Sequence, residues 1–186
     1  MEKETQTLIQ ALCRQDGQAQ RRVLQLYGTM IFGQVARIVT CQEDAEEVYQ
    51  DVFVKVFRNI QSYDSRQASL ATWMSRIAYN ESLNFVRRAQ QPVIYVDDRD
   101  VDLESIQDEA LAQVFQQQDE ATIQLIERAL DYLPPEELAL ITMFYFDDMS
   151  LKDIAYPTDS TPSTVASRLS RTRRKPYRII QSLDHE

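Results

Sequence analysis

The strongest constraint on this chain is a period. In "EDAEEVYQDVFVKVFRNI" the apolar residues Val48, Val52, Val56 and Ile60 recur every four positions, with Tyr49, Phe53 and Phe57 beside them. Such a stripe seats one face of a helix on a core and cannot be read as a strand, whose period is two. The same spacing runs from Leu8, Ile9 and Leu12 through Leu24, Tyr27, Ile31, Val35 and Ile38, and continues to about Ala89. With three glycines in 186 residues and abundant Gln, Leu, Ala and Arg, the expectation is an all-α protein without an extensive sheet.

The period lapses once. After Arg88, Pro92, a short apolar tetrad and a string of aspartates interrupt it, and helical spacing resumes through Ile123, Ile126, Ala129 and Leu130. The chain divides into two helical lobes, residues 1–90 and 120–186, joined by a linker over 91–119 that is helical near its end, around Leu111, Val114 and Phe115. Net charge divides in the same way. Residues 97–137 hold 13 acidic and 2 basic side chains, so the overall charge of -9 is held in the middle of the chain and the flanks are near neutral. An acidic total therefore says nothing against nucleic-acid binding by either lobe.

Other classes find little support. The opening "MEKETQTLIQALCRQDG" has no continuous apolar stretch and nothing downstream approaches a membrane span, so a cytoplasmic protein without membrane insertion is expected. Cys13 and Cys41 stand alone and read as buried or half-buried free thiols; His185 lies in the last three residues. No catalytic histidine, glycine-rich phosphate loop or metal-ligand spacing is present, so neither a cofactor, a metal nor a small-molecule substrate is expected. The carboxylates of "DDRDVDLE", Asp97 and Asp98 among them, read as a solvated segment.

The second lobe carries its punctuation openly. Pro134 and Pro135 end one helix and open the next, which carries Leu138, Ile141, Met143 and Phe144. Ser150 with Asp153 has the form of a capping box before Leu151, Ile154 and Ala155. Pro157 ends that helix near Tyr156. Thr161 and Pro162 then supply an N-cap and a first helical residue for a final basic helix, completing a helix-turn-helix. In that helix Val165 and Leu169 face inward, while Ser163, Thr164, Ser167, Arg168, Arg171 and Arg174 occupy the outward arc. Small hydroxyls would let the helix enter a major groove, and arginines would take phosphates or guanine edges. A solvated basic helix end is the bland alternative. Pro176 falls seven residues after Leu169 on the apolar stripe, where an interior proline costs about 3 kcal/mol or more.

Two faces of the first lobe remain. Opposite the Val48 stripe runs a polar one of Asp44, Glu47, Asp51, Lys55 and Arg58, either a docking face or ordinary pairing such as Asp51 with Lys55. In "SLATWMSRIAYNESLNFVRR", Thr72, Arg76, Asn80 and Arg87 fall within an arc of about 80°, with Asn84 adjoining. Beside Trp73 and Tyr79 and after the loop "SYDSRQAS", that face suits partly opened DNA. Trp73, Met74 and Ile77 themselves read as core.

Three stretches, in order, resemble the sigma-70 family of bacterial RNA polymerase initiation factors, in its extracytoplasmic-function (ECF) group. "DAEEVYQDVFVKVFRNI" looks like the family's DAED-x-x-Q-E-x-F helix, and "TWMSRIAYNESLNFVRR" like its T-W-L-x-x-I-A-x-N helix. "LPPEELALITMFYFDDMSLKDIA" with "TPSTVASRLSRTRRK" resembles its C-terminal helix-turn-helix; Ala166 stands where the family commonly has Lys. The resemblance implies a region-2-like domain at 1–90, a linker threading a basic polymerase channel, and a region-4-like domain at 120–186. It assigns Asp44, Glu47, Gln50 and Asp51 to docking on core RNA polymerase. Tyr63 and the loop of Ser65, Arg66, Gln67 and Ser69, with Asn80, Asn84, Arg87 and Arg88, would recognise and melt the minus-10 element, and Arg76 shares that face. Thr164, Ser167, Arg168 and Arg171, flanked by Ser163 and Arg174, would read the minus-35 element. An anti-sigma partner is also implied. A DNA-binding regulator with a ligand-sensing first lobe is the competing reading, and it leaves both polar faces of that lobe unexplained.

Overall fold

The computed structural model describes residues 2–89 and 132–176, together with 126 and 128–130. The expected linker with Asp97, Asp98, Leu111, Val114 and Phe115, the opening of the second lobe at Ile123 and the tail with His185 lie outside the described residues. Among the described residues every regular element is helical.

The first lobe is built from α1 (Glu2–Cys13), α2 (Gly17–Ile38), α3 (Gln42–Asn59), a 3₁₀ turn (Ile60–Ser62) and α4 (Leu70–Ala89). Asp16 starts α2 by accepting the backbone N–H groups of Gln18 and Ala19, each at 2.8 Å, two of the donors that a helix start otherwise leaves unpaired. The period-four stripe of α3 packs as its spacing requires, with Val52 and Val56 fully buried and Val48 and Ile60 nearly so. Val23, Ile31 and Val35 of α2 and Leu70, Trp73 and Met74 of α4 meet it in one core. A series of rings, Phe32, Tyr49, Phe53 and Phe57, with centroids 5.0 to 5.8 Å apart, runs along its flank, the first two pairs edge-on and the last tilted. Gly28 permits the close crossing of α2 and α3, since a Cβ there would meet the Tyr49 hydroxyl at 2.9 Å. Trp73 and Met74 are buried and Ile77 packs against the same core, as expected of all three.

The second lobe has its own core of Ile126, Ala129, Leu130, Leu133, Leu140, Ile141, Met143, Ile154, Val165 and Leu169. Pro135 stands at the start of α5 (Pro135–Ile141). The chain then widens into a π-helical turn over Thr142–Phe146, closed by the Asp147 N–H donating to the Thr142 carbonyl at 3.1 Å. Helix α6 (Leu151–Ala155) starts on the Ser150 hydroxyl, which accepts the Asp153 N–H, and ends before Pro157. Helix α7 (Pro162–Thr172) starts on the Thr161 hydroxyl, which accepts the Thr164 N–H at 3.2 Å.

Two expectations are corrected. Pro176 is not inside the last helix: α7 ends at Thr172 and helical backbone resumes over residues 174–176, with Pro176 buried. Pro176 has no N–H to return to the carbonyl four residues back, that of Thr172, and the ring excludes that carbonyl's helical position, so the helix stops there. In the first turn of the resumed segment the proline costs little. Cys41, expected buried or half-buried, is exposed; Cys13 is half-buried, and both are free thiols.

The lobes also meet each other. Ile38 of α2, Leu83 of α4 and Ala139 of α5 form a small third cluster, and Tyr156 packs against the first core while Tyr79 packs against the second.

Candidate nucleic-acid interface

In the second lobe, α6, the turn over residues 156–161 and α7 make the expected helix-turn-helix. The turn is fixed locally: Thr158 donates its hydroxyl to the Ile154 carbonyl at 2.8 Å, and Ser160 N–H reaches the Ala155 carbonyl at 3.0 Å. Asp159 takes the left-handed conformation at φ 48°, which Asp tolerates better than most side chains. Val165 and Leu169 anchor α7 in the core, leaving Ser163, Thr164, Ser167 and Arg171 exposed along one side. The Arg171 side chain lies back along its own helix, its Nε 3.4 Å from the Ser167 carbonyl, with its charge outward. Two residues expected on this arc sit otherwise. Arg168 is half-buried, and its charge acts on the Tyr79 phenol of the first lobe, lowering that phenol's pKa against the larger rise from burial. Arg174, beyond the helix end, is half-buried with its Nε inaccessible.

In the first lobe the loop before α4 is braced from within. Asp64 takes Arg66 through both side-chain and backbone donors, with Nη2 at 2.8 Å, Nε at 2.9 Å and the backbone N–H at 3.0 Å. This bonding holds the Asp64 carboxyl far below the usual carboxylate range. The Tyr63 hydroxyl donates to the Ala68 carbonyl at 3.1 Å and its ring meets Trp73 edge-on. Ser69 caps α4, accepting the Thr72 N–H at 3.1 Å. Thr72 is thereby buried rather than part of an exposed polar arc. Ser65, Arg66, Gln67 and Ser69 are exposed, and between this loop, α1 and α2 opens a hollow of about 580 Å³ lined in part by Tyr27, Tyr63, Ser65, Ser69, Gln6 and Ile9.

Along α4, Asn80, Asn84, Arg87 and Arg88 are exposed and Arg76 is half-buried. The face is occupied in part by the other lobe. Arg76 Nη2 lies 2.6 Å from the Asp159 carboxylate and its guanidinium 4.9 Å from the centre of the Tyr156 ring. Arg87 donates through Nε at 3.1 Å and Nη2 at 2.7 Å to one Glu136 oxygen. Burial raises the Tyr79 phenol's pKa against the opposing pull of Arg168. On α3, Glu47, Gln50 and Asp51 are exposed on the side away from the core, with Asp44 half-buried beside them. Lys55, a candidate partner for Asp51, is ion-paired with Glu81 of α4 instead.

One residue escaped the sequence reading. Arg37, the basic residue in the last turn of α2, lies 3.4 Å from Asp147 and 4.8 Å from the centre of the Phe146 ring. Burial raises the Asp147 pKa, opposed by Arg37 and by the Gln34 side chain. A lone arginine at a helix end carries no sequence signal for such a contact. Among the described residues no helix is long and apolar enough to cross a membrane, and no cluster of His, Cys, Asp and Glu could hold a metal ion.

Comparison with known proteins follows the same division. The sigma-70 region 2 family matches residues 23–91 and the sigma-70 region 4 family residues 123–175, between them more than half of the chain. RNA polymerase sigma-H factor of Pseudomonas aeruginosa is 27% identical over all of this chain and 98% of its own length. The ECF RNA polymerase sigma-E factor of Haemophilus influenzae is 27% identical across 96% of both. Among solved structures, the sigma factor RpoE of Bartonella quintana, in complex with the anti-sigma factor NepR, superposes with a TM-score of 0.62 at 20% identity, over 87% of this chain and 96% of that one. Two helical cores in this order, each matched by its own region of one family, show that the chain belongs to the sigma-70 family, in its ECF group.

Proposed function

We propose that the protein is a bacterial transcription initiation factor that binds core RNA polymerase, directs it to particular promoters and promotes DNA opening, doing no bond chemistry of its own and requiring no cofactor. It would act in the cytoplasm, with core polymerase, promoter DNA and an anti-sigma factor as partners. The observation that carries this reading is the coincidence of two independent cores, each presenting a distinct polar face, with the two family regions.

The division of labour is read onto residues. Asp44, Glu47, Gln50 and Asp51 on α3 dock on the polymerase. The braced loop, with Tyr63, Ser65, Arg66, Gln67 and Ser69, and the α4 face of Arg76, Asn80, Asn84, Arg87 and Arg88 engage the minus-10 element. The hollow beside Tyr63 and Tyr27 has the aromatic and hydroxyl lining that an unstacked base requires. Ser163, Thr164, Ser167 and Arg171 would meet the minus-35 duplex, with Arg168 and Arg174 joining once they leave their half-buried positions. Arg66 is tied to Asp64, so its first contribution is to hold the loop's shape. The domains are residues 1–90 and 120–186, and the acidic segment between them suits a basic channel by its charge.

The test is transcription in vitro with purified core polymerase on fragmented genomic DNA, followed by sequencing of transcript 5′ ends. A shared pair of motifs upstream of the starts, dependent on this protein, is the expected result. If the protein fails to bind core stoichiometrically, or the starts share no upstream motif, the proposal is wrong and the ligand-sensing regulator takes its place.

A further inference from the structure

The hollow beside the braced loop has a wall that the family region does not supply. The sigma-70 region 2 match begins at residue 23, so α1 lies wholly outside it. Buried Leu12 and half-buried Leu8 and Ala11 seat α1 on the first core. Thr5, Gln6 and Ile9, at helical spacing beside that seat, line the hollow, and Tyr27 of α2 with Tyr63 and Ser65 of the loop stand across from them. The helix therefore does two things at once: one side of it completes the core and the adjoining side faces the opening.

The lining decides what the hollow can hold. Among the described residues that form it there is no Lys, Arg, Asp or Glu. A phosphate, a carboxylate or an ammonium would enter without a counter-charge, a cost that a neutral planar base does not meet. Two tyrosine rings and Ile9 offer such a base stacking and apolar contact, and about 580 Å³ admits a purine as readily as a pyrimidine. The charge that a nucleotide does carry stays outside, where Arg66, next to Ser65 in the loop, keeps 88% of its side chain in solvent.

The polar groups of the lining differ in what they can discriminate. A hydroxyl rotates to donate or accept as its neighbour requires, so it suits any base. Two of the hydroxyls are already committed: Ser69 accepts the Thr72 N–H and Tyr63 donates to the Ala68 carbonyl, both at 3.1 Å. Burial raises the Tyr63 pKa, so that donor persists at physiological pH. Among the described lining residues Gln6 carries the one amide, exposed on α1, with an N–H donor and a carbonyl acceptor fixed side by side. Adenine answers that pair on both its Watson–Crick and its Hoogsteen edge, through the 6-amino group with N1 or N7, whereas the other bases answer it on the Watson–Crick edge alone. We propose that the hollow takes an unstacked adenine of the opened minus-10 element and that Gln6 of α1 selects it. The proposal rests on the function proposed above and adds to it the base and the residue that reads it.

The test uses the full chain with core polymerase on fragmented genomic DNA, comparing the upstream motif of the parent with those of Gln6→Ala and Gln6→Glu. Gln6 is exposed on a helix and both replacements are good helix formers, so the fold should stand. The parent motif should hold one minus-10 adenine whose preference falls about tenfold in Gln6→Ala while the other positions keep theirs. In Gln6→Glu two acceptors replace the donor–acceptor pair, so guanine, with donors at N1 and N2, should gain at that same position. A promoter carrying unsubstituted purine there, which lacks the 6-amino group, should bind the parent holoenzyme about tenfold more weakly than adenine does and the Gln6→Ala holoenzyme equally well. A motif unchanged in both variants would overturn the proposal, as would losses from Gln6→Ala and from purine that simply multiply. Weakening spread evenly over the motif would make α1 a brace and overturn it too. A parent that yields no shared motif sinks the proposed function and this inference together, whereas a clear parent motif insensitive to Gln6 sinks the inference alone.

Discussion

The start of the reading helix turns on one hydroxyl. Thr161 Oγ1 accepts the Thr164 N–H at 3.2 Å and lies 2.9 Å from the Ser163 hydroxyl and 2.8 Å from the Thr164 hydroxyl. Thr161→Ala deletes this hub, leaving the first turn of α7 to its own carbonyl bonds and Pro162. Losing a Thr cap costs about 1 kcal/mol, with a range of roughly 0.5 to 2. Helix α7 has only 11 residues and is pinned chiefly by Val165 and Leu169, so little else resists fraying at its start. At 298 K about 1 kcal/mol is a roughly fivefold change in an opening equilibrium. Hydrogen exchange read by mass spectrometry on the peptide spanning residues 161–172 should therefore show protection falling about fivefold in Thr161→Ala. Thr161→Ser keeps the oxygen and should sit close to the parent. Because Ser163 and Thr164 lie in the frayed turn, affinity for a minus-35 duplex should fall in the same order, parent and Ser above Ala. Equal protection in Ala and parent, or a Ser variant as labile as Ala, would show that the hydroxyl is not what holds the helix start.

Arg171→Ala should weaken holoenzyme binding to promoter duplex and lower the slope of log affinity against log salt by about one if the side chain meets a phosphate; unchanged affinity and slope would remove it from the interface. Gly28→Ala trades a helix-propensity gain of about 1 kcal/mol against the 2.9 Å clash with the Tyr49 hydroxyl, on a ring that Phe32 and Phe53 hold in place. Urea unfolding should show the single variant no more stable than its parent and the double variant with Tyr49→Phe more stable than Tyr49→Phe alone; additive effects would disprove the clash. Asp147→Asn should stabilise the protein at neutral pH despite losing the Arg37 ion pair, because the raised pKa means that burial outweighs the attraction. In the native state Asp147 binds its proton more tightly than in the unfolded chain, so its charge costs stability above its raised pKa and that cost fades as pH falls through it towards 3.8, the unperturbed value. Urea titrations of parent and variant should accordingly converge on acidification, and a variant less stable than parent at pH 7 would reverse the assignment.

What the sequence discloses and what it withholds separate along a physical line. A period of four at Val48, Val52, Val56 and Ile60 specifies burial because only one face of a helix can be dry, and the caps at Ser150 and Thr161 are legible because their chemistry is satisfied within three residues. Both are local or periodic. The polar arc of Arg76, Asn80 and Arg87 was equally visible, but a guanidinium does not encode whether its partner is a phosphate or a carboxylate; Asp159 and Glu136 lie 83 and 49 residues away in the chain. Arg66 shows the same ambiguity at short range, since Asp64, two residues before it, captures the charge that the loop was expected to spend on DNA. Pro176 shows a further kind of loss. Counting seven residues from Leu169 presumes that the helix survives to be counted along, whereas a proline acts four residues upstream, at Thr172, and ends the frame in which its own position was judged. Periodicity is thus trustworthy up to one turn before a proline, and a charged face is informative about partners only after the chain's own opposite charges have been placed.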